Sequence, residues 1–187
     1  MEKIAIIELN ETALKLNIYK VSGAKYNLAL SQHQSLKLGE EISRDELLSP
    51  QTKTKILSIL KVYRNIIENF NVEKIFAVTT TMFTQARNYR GFIDEVYNNT
   101  GISFSILTEE EHIKYLFNSV VNSIDNAKGI FVYIGTYSSF VVKYNRRAIL
   151  EYSVVPVGTF NANEAGETDF DKLSASLKSK FSNLGVN

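Results

Sequence analysis

The sequence predicts an α/β fold built on a mixed sheet, and three features carry that prediction. The chain up to Leu36 reads as three consecutive strands joined by short polar links. A long helix with a continuous apolar stripe follows, opened by Ser49-Pro50. Beyond it, strand-like and helix-like stretches alternate, the order that sets neighbouring strands parallel.

The first strands are 3–9, 13–21 and 26–36, and the links Asn10-Glu11-Thr12 and Ser22-Gly23-Ala24-Lys25 suit hairpins, so this part is an antiparallel meander. In the second strand Leu14, Leu16, Ile18 and Val21 mostly oppose Lys15, Asn17 and Lys20, which gives one covered and one wetter face. At Ser49-Pro50 serine serves as cap and proline takes the first helical position, where its missing N–H costs nothing. Ile56, Leu60, Tyr63, Ile67 and Phe70 then mark one buried helix face. Residues 74–79 read as a buried strand, 88–97 as a short helix and 102–107 as a strand parallel to the first of these. Thr108 and Glu111 form a capping box for a third helix, in which Ile113, Leu116, Phe117, Val120, Val121 and Ile124 make a wide apolar face. Residues 129–135, 138–144 and 148–157 repeat the opening meander. A polar stretch, 161–167, leads to a last amphipathic helix with Phe170, Leu173, Leu177, Phe181 and Leu184 on one side.

The 187 residues suit one domain with one core over residues 1–160, leaving 161–187 as linker and C-terminal helix, docked on the same domain or opening a second one. Lys plus Arg number 21 against 20 for Asp plus Glu, so no general field draws nucleic acid or an acidic membrane, and any anion site is local. The absence of cysteine excludes disulfides and thiolate chemistry and suits a reducing, cytoplasmic setting. Two histidines argue against a zinc site. The apolar run Ile4 to Ile7 is too short for a signal peptide or membrane span.

Chemistry-bearing candidates are few. Glu8 ends the first strand, where a carboxylate can orient a water or a metal ion; a solvated strand-end acid is the bland reading. Glu109, Glu110 and Glu111 sit in the first turn of a helix, where the dipole and the cap already account for them. His112 can act as acid or base, or simply pack. Gly135-Thr136-Tyr137-Ser138-Ser139 can present backbone N–H groups and hydroxyls to an anion, or serve as an ordinary turn. Thr79-Thr80-Thr81 lies at the carboxyl end of a parallel strand, where α/β sheets place ligands. Arg146-Arg147 is a basic pair in a hairpin, and solvation explains it by default. No Walker loop, dinucleotide fingerprint, serine elbow or zincin motif is present.

Taken together, Ile4-Ala5-Ile6-Ile7-Glu8-Leu9, Leu38-Gly39-Glu40, Ala77-Val78-Thr79-Thr80, Gln85-Ala86-Arg87-Asn88, Thr100-Gly101-Ile102, Ile106-Leu107-Thr108-Glu109-Glu110-Glu111, Ile134-Gly135 and Pro156-Val157-Gly158 follow one another in a characteristic order. In this the chain resembles, over about residues 3 to 160, the N-terminal domain of the exopolyphosphatase and guanosine pentaphosphate phosphohydrolase (Ppx/GppA) family. The resemblance implies an actin-like, ribonuclease H-like domain with a mixed five-stranded sheet and flanking helices.

It also implies where a phosphate site would lie, and the chain departs from the family there. The family's first phosphate turn opens on an aspartate; here it is Glu8, followed by Asn10, Glu11 and Thr12 in place of glycine, serine and asparagine. Its second turn runs from an aspartate through three glycines; here the aspartate position is Tyr133 and one glycine, Gly135, remains, before Ser138 and Ser139. The glutamate closing that pattern is Phe140. The phosphate-facing arginine falls on Thr84, with Arg87 one turn away, and the catalytic glutamate falls on His112, or on Glu111 after a shift of one residue.

The expectation is therefore a catalytically degenerate relative, a binding or regulatory module with a protein partner or a second copy of itself. One alternative is an active, Mg2+-dependent phosphohydrolase of polyphosphate or guanosine pentaphosphate, with Glu8, Glu111 or His112 catalytic, Glu8 a metal ligand, and Thr79, Arg87, Gly135, Ser138 and Ser139 facing phosphate. Another is a phosphate or nucleotide sensor without turnover.

Overall fold

The computed structural model describes residues 2–159 and, beyond them, Asp171, Ser174, Ala175, Lys178, Ser179 and Ser182. The chain divides at Glu109/Glu110 into two compact units.

In the first unit, β1 (Glu2–Leu9), β2 (Ala13–Ser22) and β3 (Lys25–Ser35) form the expected meander. After β3 comes a short helix, α1 (Leu38–Asp45), which leaves no signal in the sequence: it spans eight residues, begins at Lys37 without a side-chain cap and holds Gly39. It stops at Glu46, whose backbone turns left-handed and whose N–H returns to the Ile42 carbonyl. Helix α2 (Pro50–Asn69) starts as its serine and proline dictate, the Ser49 hydroxyl accepting from the Thr52 N–H at 3.2 Å. Then follow β4 (Lys74–Thr80), one 3-10 segment (Thr81–Gln85), α3 (Tyr89–Thr100) and β5 (Phe104–Leu107).

These strands make one mixed sheet in the order β3-β2-β1-β4-β5, with β1 antiparallel to β2 and parallel to β4, and β4 parallel to β5. One face is the core. Ala5, Ile7 and Leu9 of β1, Leu14, Leu16 and Ile18 of β2 and Ala77 of β4 meet Ile56, Leu60, Tyr63 and Ile67 of α2 and Phe92 and Val96 of α3. Tyr63 carries its hydroxyl into this core and satisfies it by donating to the Leu14 carbonyl at 2.9 Å.

The second unit contains α4 (Glu109–Val121), β6 (Lys128–Ile134), β7 (Ser139–Asn145) and β8 (Ala148–Val155). Its strands form a separate antiparallel sheet, β6-β7-β8. Ile113, Phe117 and Val121 of α4 cover Phe140, Val142 and Tyr144 of β7, and the Phe117 ring lies 5.9 Å from Phe131 and 5.3 Å from Tyr144.

The single core expected over 1–160 is therefore two clusters, because the second meander pairs with itself and carries its own covering helix. The β7–β8 turn holds Arg146 and Arg147 exposed, both with left-handed backbone, a conformation that hairpins of this type usually give to Asn-Gly. The apolar positions 170, 173, 177, 181 and 184 of the expected last helix lie outside the described residues. Among the described residues no helix is long and apolar enough to cross a membrane.

Candidate functional site

The two turns singled out in the sequence are both well defined, one in each unit. In the first, between β1 and β2, Asn10 organises the chain. Its side-chain carbonyl accepts the N–H of Thr12 at 3.1 Å and of Ala13 at 2.8 Å, and the Thr12 hydroxyl at 3.3 Å. Its amide donates to Glu8 Oε1 at 2.8 Å, and the Asn10 N–H bonds the Ala13 carbonyl at 2.9 Å. A phosphate-binding turn works by pointing free backbone N–H groups outward. Here those of residues 10, 12 and 13 are already satisfied by the turn itself.

The acids nearby are engaged as well. Glu8 lies 3.6 Å from the Lys15 ammonium across the hairpin, and Glu11 accepts from the Thr80 hydroxyl at 3.1 Å. Glu11 and Thr12 also use their carbonyls to hold the next segment, taking the N–H groups of Gly39 at 2.9 Å and Leu36 at 2.7 Å. Thr79 is buried and donates to the Leu9 carbonyl at 2.8 Å, which ties β4 to the end of β1. Arg87 is bound to Glu46: its guanidinium bonds the carboxylate twice, once at 2.9 Å through Nε, and its backbone N–H takes the Glu46 carbonyl at 2.8 Å. Thr84, where the resemblance would place the arginine, donates to the Thr81 carbonyl at 2.6 Å.

The second turn joins β6 to β7. Gly135 donates to the Ser138 carbonyl at 3.0 Å, and a Cβ at Gly135 would sit 2.6 Å from that oxygen. Gly158 approaches from the far end of the unit's chain: a Cβ there would lie 2.4 Å from the Thr136 carbonyl group and 2.5 Å from the Gly135 oxygen. The Thr159 N–H bonds that Gly135 oxygen at 2.9 Å. Two glycines thus permit two backbone segments to touch, the use to which glycine is suited. Ser139 is fully buried and donates to the Val157 carbonyl at 2.7 Å, pinning the same pair of segments, while Ser138 is half-buried.

Tyr133 and Phe140 face each other across this turn, their rings stacked at 5.7 Å and 15°. The ring of His112, from α4, meets Phe140 edge-on at 5.5 Å, and Phe140 is only 3% exposed. The sequence alone leaves these three residues unconnected, because His112 and Phe140 lie 28 positions apart in the chain. Glu111 lies beside His112 in the first turn of α4.

Of the predicted site residues, Glu8, Thr79 and Arg87 belong to the first unit, and Glu111, His112, Gly135, Ser138 and Ser139 to the second. The Glu8 carboxylate already has an amide and an ammonium, and among the described residues no three His, Asp or Glu side chains gather.

A profile of the Ppx/GppA phosphatase family matches residues 17–169. Among solved structures, a Ppx/GppA family member of Aquifex aeolicus superposes with a TM-score of 0.83 at 21% identity, over 98% of this chain and 62% of the other. An exopolyphosphatase of Cytophaga hutchinsonii gives 0.83 at 16% identity, over 97% and 64%. A bifunctional 3-dehydroquinate synthase/phosphatase of Fusobacterium nucleatum is 25% identical over 130 residues, 65% of this chain and 19% of that protein. The chain thus spans less than two thirds of these relatives' length, and the likeness places its fold in the actin-like class.

Proposed function

We propose that this chain, which belongs to the Ppx/GppA phosphatase family, is a catalytically degenerate member that binds or regulates and does not hydrolyse phosphoanhydrides. The observation that carries this reading is the stack of Tyr133, Phe140 and His112. The family resemblance assigns an aspartate and two glutamates to these positions. Such acids work by holding a cation or by activating water. A buried Phe140 wedged between an aromatic ring and an imidazole does neither.

The first turn supports the same reading. Its Asn10 side chain already accepts the Thr12 and Ala13 N–H groups, and Glu8, paired with Lys15, and Glu11 place two carboxylates beside it. A unit charge about 4 Å from a phosphate opposes it by roughly 1 kcal/mol in water and about 4 at an effective dielectric of 20.

A second reading, sensing of phosphate or nucleotide without turnover, is favoured by Gly135 and Gly158, whose contact keeps the second turn tight and glycine-dependent. The test of both is phosphate release from, and binding of, polyphosphate and guanosine pentaphosphate by the purified chain with Mg2+. We expect no turnover. Specific turnover lost in a Glu111→Gln/His112→Ala double variant overturns the proposal in favour of an active phosphohydrolase. Binding without turnover, lost in Gly135→Trp, selects the sensor; no binding at all leaves a protein-contact role.

A further inference from the structure

We infer that the trough between α4 and β8 in the second unit is a binding site for a small apolar monocarboxylate, a carboxylate head on an alkyl chain. The trough encloses about 470 Å3, a size usual for small-molecule sites. On the α4 side it is lined by Glu110, Ile113, Lys114, Phe117 and Asn118, a single stripe at helical spacing. On the other side stand Arg147, Ile149, Leu150 and Tyr152. Its floor is the edge of the second core: Ile113 and Phe117 are buried, and Ile149 packs against them.

The wall on β8 owes its shape to an irregularity in that strand. Ile149 pairs with Tyr144 and Glu151 with Lys143, so Leu150 has no opposite number and two residues of β8 face one of β7. Such a bulge re-aims side chains. In a regular strand residues three apart point to opposite faces, but here Ile149 and Tyr152 stand opposite Tyr144 and Val142, both of which belong to the core under α4. Leu150, 60% exposed, lines the same trough. The hairpin adds Arg147, held with a left-handed backbone at φ 62°, which a side chain adopts only against steric cost.

The trough has two unlike ends. Helix α4 runs along β7 from Phe140, met by His112 at 5.5 Å, to Tyr144, met by Phe117 at 5.3 Å. Asn118 therefore lies toward the β7–β8 turn and Arg147, and Glu110 lies at the far end, about 12 Å away along the helix. Lys114 stands between them. Among the described residues neither Lys114 nor Arg147 is in an ion pair. An arginine fork, an ammonium and an amide at one end suit a carboxylate, and the apolar floor suits an alkyl chain. Glu110 repels a second anionic group at the other end. The span between Asn118 and Glu110 suits an extended chain of medium length, such as that of decanoate.

The trough lies on the face of the sheet that the meander repeat leaves to α4. In the first unit α2 follows the meander and packs on Leu14 and Leu16. The two hairpins close at Leu9 opposite Leu14 and at Ile134 opposite Ser139, so those positions correspond to Ser139 and Val141. Both are fully buried and alternate with Phe140 and Val142, so they face away from α4. A helix that follows β8 as α2 follows β3 lies on that opposite face and leaves the trough open.

The test is a titration of the whole isotope-labelled chain with decanoate, followed by amide chemical shifts, with calorimetry for the affinity. We expect saturable shifts centred on Lys114, Asn118, Ile149 and Leu150. Decanol, which lacks the charge, and decanedioate, whose second carboxylate meets Glu110, should bind more weakly. Arg147→Gly should weaken decanoate about tenfold through loss of a charge-assisted pair. Glycine suits the left-handed backbone at that position, so the turn itself is preserved. Glu110→Lys should reverse the order of decanoate and decanedioate. Absence of saturable binding, shifts centred on other residues, or a decanoate affinity unchanged in Arg147→Gly overturns the inference. None of these ligands carries phosphate, so the result stands apart from the hydrolysis assay.

Discussion

Replacing Asn10 by alanine tests the first turn directly. The side chain accepts two backbone N–H groups, at 3.1 and 2.8 Å, and ties down Glu8 at 2.8 Å. A hydrogen bond contributes about 0.5–1.5 kcal/mol net, so losing the two backbone bonds costs about 1–3 kcal/mol. Thr12 is exposed and water replaces part of its bond, which puts the expected loss in the lower half of that range. For a unit of roughly 100 residues, 1 kcal/mol lowers Tm by about 4–8 °C. Urea denaturation measures the loss, and hydrogen exchange of the Thr12 and Ala13 amides shows where it arises. Asn10→Asp is the control: it keeps the acceptor, so both amides stay protected, while its charge is set beside Glu8. Unchanged stability together with unchanged exchange in Asn10→Ala would refute the argument, since the Thr12 and Ala13 N–H groups would then be held by something else.

Two further predictions concern the cores. Gly158→Ala drives a methyl group to within 2.5 Å of the backbone at Thr136 and Gly135, so it should destabilise the second unit by about 1–3 kcal/mol, the usual range for overpacking, whereas Gly91→Ala, in open space on α3, should stabilise the first unit by about 0.5–1 kcal/mol; thermal melts of the two variants should move in opposite directions. Burial raises the Tyr63 phenol above its ordinary value, so the folded state holds this proton more tightly than the unfolded one, and stability present at neutral pH is lost as pH rises past about 10. Tyr63→Phe should cost about 1 kcal/mol at neutral pH and flatten the alkaline end of the urea-midpoint profile; an unchanged profile would place its source elsewhere.

The elements that the sequence displayed are those whose signal is local. Leu14, Leu16 and Ile18 alternate with polar residues because a pleated strand buries every second side chain, and all three are fully buried. The α2 stripe of Ile56, Leu60, Tyr63 and Ile67 follows the helical period, and Ser49-Pro50 marks its start within one residue. Helix α1 escaped because eight residues with an internal glycine and no capping side chain carry too little periodicity to stand out.

The candidate residues were legible as types and not as partners. Arg87 reads as a free cation in the chain, but folding brings Glu46 to it; Thr79 and Ser139 read as ligand hydroxyls, but each meets a carbonyl, of Leu9 and Val157. Buried polar groups find the nearest acceptor because leaving them unpaired costs about 1–3 kcal/mol.

By itself, then, the sequence determined the α/β character, the two meanders and the family pattern, all written in short-range periodicity and motif order. The tertiary structure alone decided that the chain holds two cores, that Tyr133, Phe140 and His112 form one stack, and that Gly135 and Gly158 touch. Those facts depend on which distant segments meet, and a contact between residues far apart in the chain leaves no periodic trace in either segment.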